Sequence, residues 1–147
     1  FKSMTQDELK TKIKEHLEGF NLCVISSIGA NGFPESATVG FSEDENFNLV
    51  LGTSKLSRKA QNIQDNHKVS VVIGTDFSKR QTVQIEGSAT VLNGDGLIHY
   101  QEIHFVKNPY AKNFKNDPNF IWIIIRPTWI RYTDITQSPW QVEELQL

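Results

Sequence analysis

Cysteine is almost missing from this chain. Cys23 stands alone among 147 residues, which excludes an intrachain disulfide framework and a four-cysteine zinc site. Neither sign of charge is in excess: 15 Lys+Arg face 17 Asp+Glu, for a formal net charge of −2. That balance excludes an affinity built on neutralising nucleic-acid phosphates. Long hydrophobic runs are also lacking. The longest wholly apolar stretch, Phe120 to Ile125, falls far short of the roughly 20 residues of a membrane-spanning helix, so no membrane role is expected. The N-terminus is charged and holds no apolar export core, which leaves a cytoplasmic location as the expectation. Phe1-Lys2-Ser3-Met4 is set aside from the fold argument.

What is present is enough for a core. An apolar content of 38% with 10% aromatics is too high for a disordered chain, and the length suits one domain over residues 1–147. Thr5-Gln6-Asp7-Glu8 has capping-box spacing, and Leu9, Ile13, Leu17 and Phe20 recur at helical spacing. Gly19 suits a left-handed residue ending that helix. The period then changes. Leu22 to Ile28 reads as a strand, Asn31-Gly32 as its turn, and Pro34 to Phe41 as a returning strand rich in small residues. After an acidic turn, Phe47 to Leu51 makes a third strand, so a three-stranded meander is expected up to Gly52.

Ser57 to Asn66 reads as a short helix with Ala60 and Ile63 inward, and Lys68 to Ile73 as a fourth strand. Thr82 to Leu92 is a fifth, in which Gly87 marks a bulge or a close backbone approach. Leu97, Tyr100, Ile103 or His104, and Val106-Lys107 mark a helix ending near Asn108-Pro109. Phe120 to Arg126 is a sixth strand, and Pro127-Thr128 turns into a seventh, Trp129 to Thr133. Ser138-Pro139 offers a cap and a first-turn proline for a short terminal helix. Six or seven strands joined mainly by hairpins exclude a doubly wound parallel sheet. An antiparallel barrel or sandwich with peripheral short helices fits.

Chemistry is densest at Thr53 to Lys59, where three hydroxyls and three cations fall within seven residues at the junction of a strand end and a helix start. Helix N-termini offer unpaired N–H donors and favour anions, and Arg58 with Lys59 suits a single phosphoryl group. The same residues also describe a hydroxyl-capped helix with idle cations. The stretch is not a Walker loop, since it lacks the Gly-Lys-Ser/Thr order. Small residues at Ser36 to Gly40 let a flat ligand lie against the backbone, or let a helix pack there.

The histidines form no metal site: His99 and His104 are splayed around a helix, and His16 and His67 read as surface or helix-end residues. Cys23 reads as a small core residue. No catalytic acid–base pair is assigned. Trp122, Trp129 and Trp140 suit either ring stacking or packing.

Gly52-Thr53, Ser57-Arg58-Lys59-Ala60, Ile63, Asn66 and Val69-Ser70 together resemble the signature of the pyridoxamine 5′-phosphate oxidase-like FMN-binding split-barrel family. The similarity extends to the opening helix, the Asn-Gly hairpin, the small-residue strand, Glu86-Gly87 and Pro127-x-x-Ile130. It implies a mainly β, antiparallel six-stranded split β-barrel acting as a homodimer, with two FMN molecules bound across the dimer interface. By carry-over, Thr53, Arg58 and Lys59 hold the FMN phosphate, assisted by Ser54 and Ser57 and with Gly52 beside them. Ala37, Thr38 and Val39 back the isoalloxazine. The glutamine that the family places by the flavin is matched by Thr82, with Gln81 and Gln84 as neighbours.

The departures fall on the oxidase's substrate pocket. Its second-strand arginine and lysine are matched by Ala37 and Ser42. Its substrate-phosphate tyrosine is matched by Tyr100, but the following arginine and serine become His104 and Asn108. The C-terminal tryptophan falls at Thr133, beside Tyr132, and the closing Arg-x-His has no counterpart in Gln141 to Leu147. The chain is thus similar to the general-stress-protein branch rather than to the oxidase itself. The resemblance implies an FMN-dependent oxidoreductase acting on a small-molecule redox substrate. Its alternatives are a non-catalytic flavin-binding stress-response module, and a split barrel holding a deazaflavin or heme, the latter with His104 as the axial candidate.

Overall fold

Helix α1 (Gln6–Glu18) starts where expected: the Thr5 hydroxyl accepts the Glu8 amide at 3.1 Å. Leu9, Ile13 and Leu17 are buried in the core. The helix ends without a left-handed residue. Gly19 has φ −79°, ψ −6°, in the right-handed region, and its amide closes the last turn onto Glu15 and His16 carbonyls. The computed structural model describes residues 3–147, so Phe1 and Lys2 of the set-aside opening lie outside the described residues.

Strands β1 (Leu22–Ile28) and β2 (Pro34–Gly40) form the expected hairpin, in register from Leu22–Gly40 to Ile28–Pro34. Gly32 supplies the positive φ, at +84°. The expected meander does not continue. β3 (Ser42–Glu43) and β4 (Leu49–Ser54) pair with each other, and the other neighbour of β4 is the late strand β7 (Phe120–Asp134). Phe47 lies in the turn at φ +65°, where Asp44 accepts the amides of Asn46 and Asn48, so the strand begins two residues later than expected.

Helix α2 (Arg58–Asp65), β5 (Lys68–Ile73), β6 (Gln81–Val91) and α3 (Gly94–Lys107) match the sequence reading closely, and a 3-10 turn follows at Pro109–Phe114. Two later expectations fail. Pro127-Thr128 does not turn the chain; β7 runs unbroken for 15 residues. Its register against β6 shifts, with Glu86 opposite Trp129 and Gly87 opposite Pro127, so Thr128 is the extra residue of a bulge. A bulge places a proline inside a strand without losing a ladder donor. The terminal segment is not helical but strand β8 (Gln141–Gln146), paired with the second half of β7. Its burial at Gln141 and Leu145 marks one face of a strand, a period that outweighs the proline signal.

Among the described residues eight strands, rather than six, thus form one antiparallel sheet ordered β2-β1-β5-β6-β7-β4-β3, with β8 on β7. The continuous segment 34–43 supplies both ends of that order. The sheet must therefore curl until its edges meet, giving a split barrel. One inward row runs Ala37, Ile25, Val71, Ile85, Ile130, Leu145 across six strands. The outward row beside it is Thr38, Val24, Val72, Gln84, Arg131, Glu144. Among the described residues no helix is long and apolar enough to cross a membrane.

Candidate functional site

The strand-to-helix junction is built from its hydroxyls. Ser57 caps α2 by accepting the Ala60 amide at 3.3 Å, and Thr53, at the end of β4, donates its hydroxyl proton to Ser57 Oγ at 3.1 Å. Ser54 accepts the Leu56 amide at 3.2 Å. These three hydroxyls shape the loop, and Thr53 is itself buried. The cations project further. Arg58 and Lys59 line a cavity of about 340 Å³ together with Ser27, Glu35, Ser36 and Ala37. The small-residue strand and the cationic helix start, some twenty residues apart in the chain, therefore share one hollow.

Inside it, one Arg58 nitrogen pairs with Glu35 Oε2. The rest of the guanidinium fork is open, since its side chain is 81% exposed. Lys59 has no ion-pair partner among the described residues, and burial pushes its ammonium below the ordinary value. A half-buried cation without a counter-ion is stabilised by an incoming anion. Strand β2 ends the sheet order and is paired on one side only, by β1, so backbone groups along its other edge have no ladder partner. Of the three residues expected to back a flat ring, Ala37 lines the hollow, while Thr38 faces outward from β2 and Val39 is buried in the core.

Other expected site residues lie elsewhere. Gly52 belongs to a second cavity, of about 370 Å³, with Gly40, His104, Phe120 and Trp122. A Cβ at Gly52 would fall 2.4 Å from Phe120 Cε1 and 2.9 Å from Trp122 Cζ3, so aromatic packing accounts for this glycine. Thr82 and Gln84 sit on β6, three strands from β2, about 14 Å at ordinary strand spacing. Gln84 lines a shallow hollow on the outer sheet face with Val24, Val72 and Trp129. The structure does not bring them to the cations of the same chain.

Three residues weighed for chemistry are committed to structure. His104 is 3% exposed; its Nδ1 lies 2.9 Å from Ser42 Oγ, and the Val50 backbone meets the ring as well. Burial lowers its pKa to about 4. A ring so engaged is not available to ligate iron. Tyr100 donates its hydroxyl to Asp44 at 3.0 Å instead of standing free for a substrate phosphate. Cys23 is buried, and desolvation pushes its thiol up to about 12.

His16, expected at the surface or a helix end, lies in the last turn of α1 but is 4% exposed: its Nε2 lies 2.9 Å from the Ile73 carbonyl, and Nδ1 has no partner among the described residues. Sequence reasoning missed Glu35 and Asn62. Asn62 lies on the inner face of α2 one turn after Arg58, a spacing that could have drawn attention to it. Nothing local marks Glu35, whose contacts come from tertiary proximity.

The comparisons agree with this architecture. No curated protein matches the chain. Among solved structures, general stress protein 26 from Bacillus anthracis str. Sterne is 27% identical, with a TM-score of 0.74, over 95% of this chain and 99% of that one. A heme binding protein from Mycobacterium smegmatis is 16% identical at TM-score 0.81; the match covers 99% of this chain but only 60% of that longer one. A pyridoxamine 5′-phosphate oxidase-related, FMN binding protein from Nostoc punctiforme PCC 73102 is 15% identical at TM-score 0.67, over 99% and 98% of the two chains. At 16% and 15% identity the last two speak for the fold alone. The family model for pyridoxamine 5′-phosphate oxidase matches residues 9–134, from the core face of α1 to the end of β7. Most of the chain, including both walls of the cationic hollow, falls inside that match, and the chain belongs to the pyridoxamine 5′-phosphate oxidase family.

Proposed function

We propose that this protein binds FMN as a homodimer and acts as an FMN-dependent oxidoreductase on a small-molecule redox substrate. One observation carries the reading: Arg58 and Lys59 face the small-residue strand at Ser36 and Ala37 across a single cavity. Arg58 and Lys59 hold the phosphate, Ser54 and Ser57 shape the loop beneath it, and Ala37 offers a low wall to the ring, with the unpaired backbone edge of β2 running on from it. FMN, when bound, supplies the electron and hydride transfer. The chain's part is anchorage, orientation and exclusion of water, which fits a site without an acid–base pair.

Family membership supports the cofactor, as does the FMN-binding description of the Nostoc neighbour. Thr82 and Gln84 would meet the flavin from a second copy, since neither lines the cradle of their own chain and Gln84 lies on the outer sheet face. Heme is favoured by the description of the Mycobacterium neighbour alone; His104, the residue it would need, is already engaged.

The test is a titration of purified protein with FMN and with riboflavin, followed by flavin fluorescence, alongside gel filtration. FMN should bind and riboflavin should bind far more weakly. Arg58→Ala should weaken FMN by about 2 kcal/mol through loss of charge-assisted contacts, and leave riboflavin unaffected. Equal affinity for the two flavins, or a stable monomer that binds FMN fully, would count against this site.

A further inference from the structure

The cradle contains an anion of its own. Glu35 Oε1 accepts from Asn62 Nδ2 at 2.8 Å, and the same amide nitrogen donates to the buried Ser27 hydroxyl at 3.0 Å. Its Oε2 meets Arg58. On its third side the carboxyl group packs against the Gly29 backbone, where a Cβ would lie 3.2 Å from Glu35 Cδ. The carboxylate is only 23% exposed and fastened from the inner face of α2, so it cannot swing away when a ligand arrives. Arg58, by contrast, is tethered by one nitrogen and is otherwise exposed.

We infer that Glu35 is the affinity-setting residue of the phosphate cradle: a fixed carboxylate that shares Arg58 with the ligand and repels it, so that the flavin exchanges freely. This rests on the phosphate reading of Arg58 and Lys59 given above. A phosphate monoester carries about −1.5 to −2 near pH 7. Without Glu35 it would meet two cations, Arg58 and Lys59. With Glu35 it meets a net single positive charge, one donor of which is already spent. Like charges in one small cavity oppose binding at any effective dielectric between that of water and that of a protein interior. A cradle built for permanent retention would place a neutral donor where Glu35 stands.

Glu35→Gln is the informative change, because glutamine keeps an oxygen for Asn62 and nearly the same volume. The E35Q protein should bind FMN about tenfold more tightly, the scale of one partly screened like-charge contact, with most of the gain in a slower off-rate. Riboflavin affinity should not change. Glu35→Ala should show the same direction, which guards against an effect peculiar to the amide. In an R58A background the gain from E35Q should shrink, since the shared guanidinium is gone. A gain of affinity is not produced by general damage to the fold. If R58A weakens FMN but E35Q leaves it unchanged or looser, Glu35 only positions Arg58 and the inference is wrong. If R58A has no effect and FMN binds no better than riboflavin, the cradle reading itself fails, and this inference with it.

Discussion

Replacing Gly87 by alanine probes the bulge that lets β7 remain one strand. A Cβ at this position would lie 2.5 Å from the Arg126 carbonyl oxygen, 3.0 Å from its carbon and 3.1 Å from Pro127 Cα. All three atoms are backbone, and β7 is held by β6 on one side and by β4 and β8 on the other. No side-chain rotation relieves the contact. The strands must part by roughly 1 Å to restore an ordinary separation. Overpacking against a rigid neighbour costs about 3 kcal/mol, offset by the roughly 0.5–1 kcal/mol that alanine recovers through a less flexible unfolded chain.

The net is a loss of about 2 kcal/mol, or a fall in Tm of about 6 °C for a chain of this length. Urea unfolding followed by circular dichroism, together with a calorimetric scan, measures both. Gly96→Ala is the control. Its Cβ would meet nothing closer than Leu92 Cδ2 at 4.0 Å, inside helix α3, so that change should be neutral or stabilising. A G87A protein as stable as the wild type would refute the reasoning.

His104 links stability to pH. Its ring is neutral in the native state, with a pKa lowered to about 4 by burial, while the unfolded ring titrates near 6.5. Its contribution is complete above about pH 6.5 and is lost as pH falls towards 4, by about 3 kcal/mol at most. His104→Gln should therefore be less stable at pH 7 but lose less than the wild type between pH 7 and 4.5; parallel losses would contradict this. Cys23, buried and with its thiol pushed up to about 12, should resist iodoacetamide in the native protein and react only in denaturant, as mass spectrometry would show.

Local chemistry was legible in the sequence wherever a short-range pattern decides the outcome. The caps at Thr5 and Ser57, the glycine turn at Gly32 and the alternation of Lys68 to Ile73 need only neighbours a few residues away. The cationic cluster at α2 could be read for the same reason, since its residues share one turn of chain. The reading failed where a distant partner outweighs a local signal. Pro127 looks like a turn until β7, bulged at Thr128, pairs closely with Gly87 of β6, and Ser138-Pro139 looks like a helix start until β7 offers a free edge to Gln141–Gln146.

The site divides along the same line. The sequence alone determined the residue types able to hold a phosphate, the absence of a metal motif and the inward and outward periods of the strands. Only the tertiary structure decided which side chains meet. Curling of the sheet brings Glu35 and Ala37 from β2 against Arg58 and Lys59 of α2, turns Gly52 towards Phe120 and Trp122, and leaves Thr82 and Gln84 three strands away. Backbone periods are set by neighbours in the chain, whereas pairing between strands and the charge balance inside a cavity are set by residues that meet only once the barrel has closed.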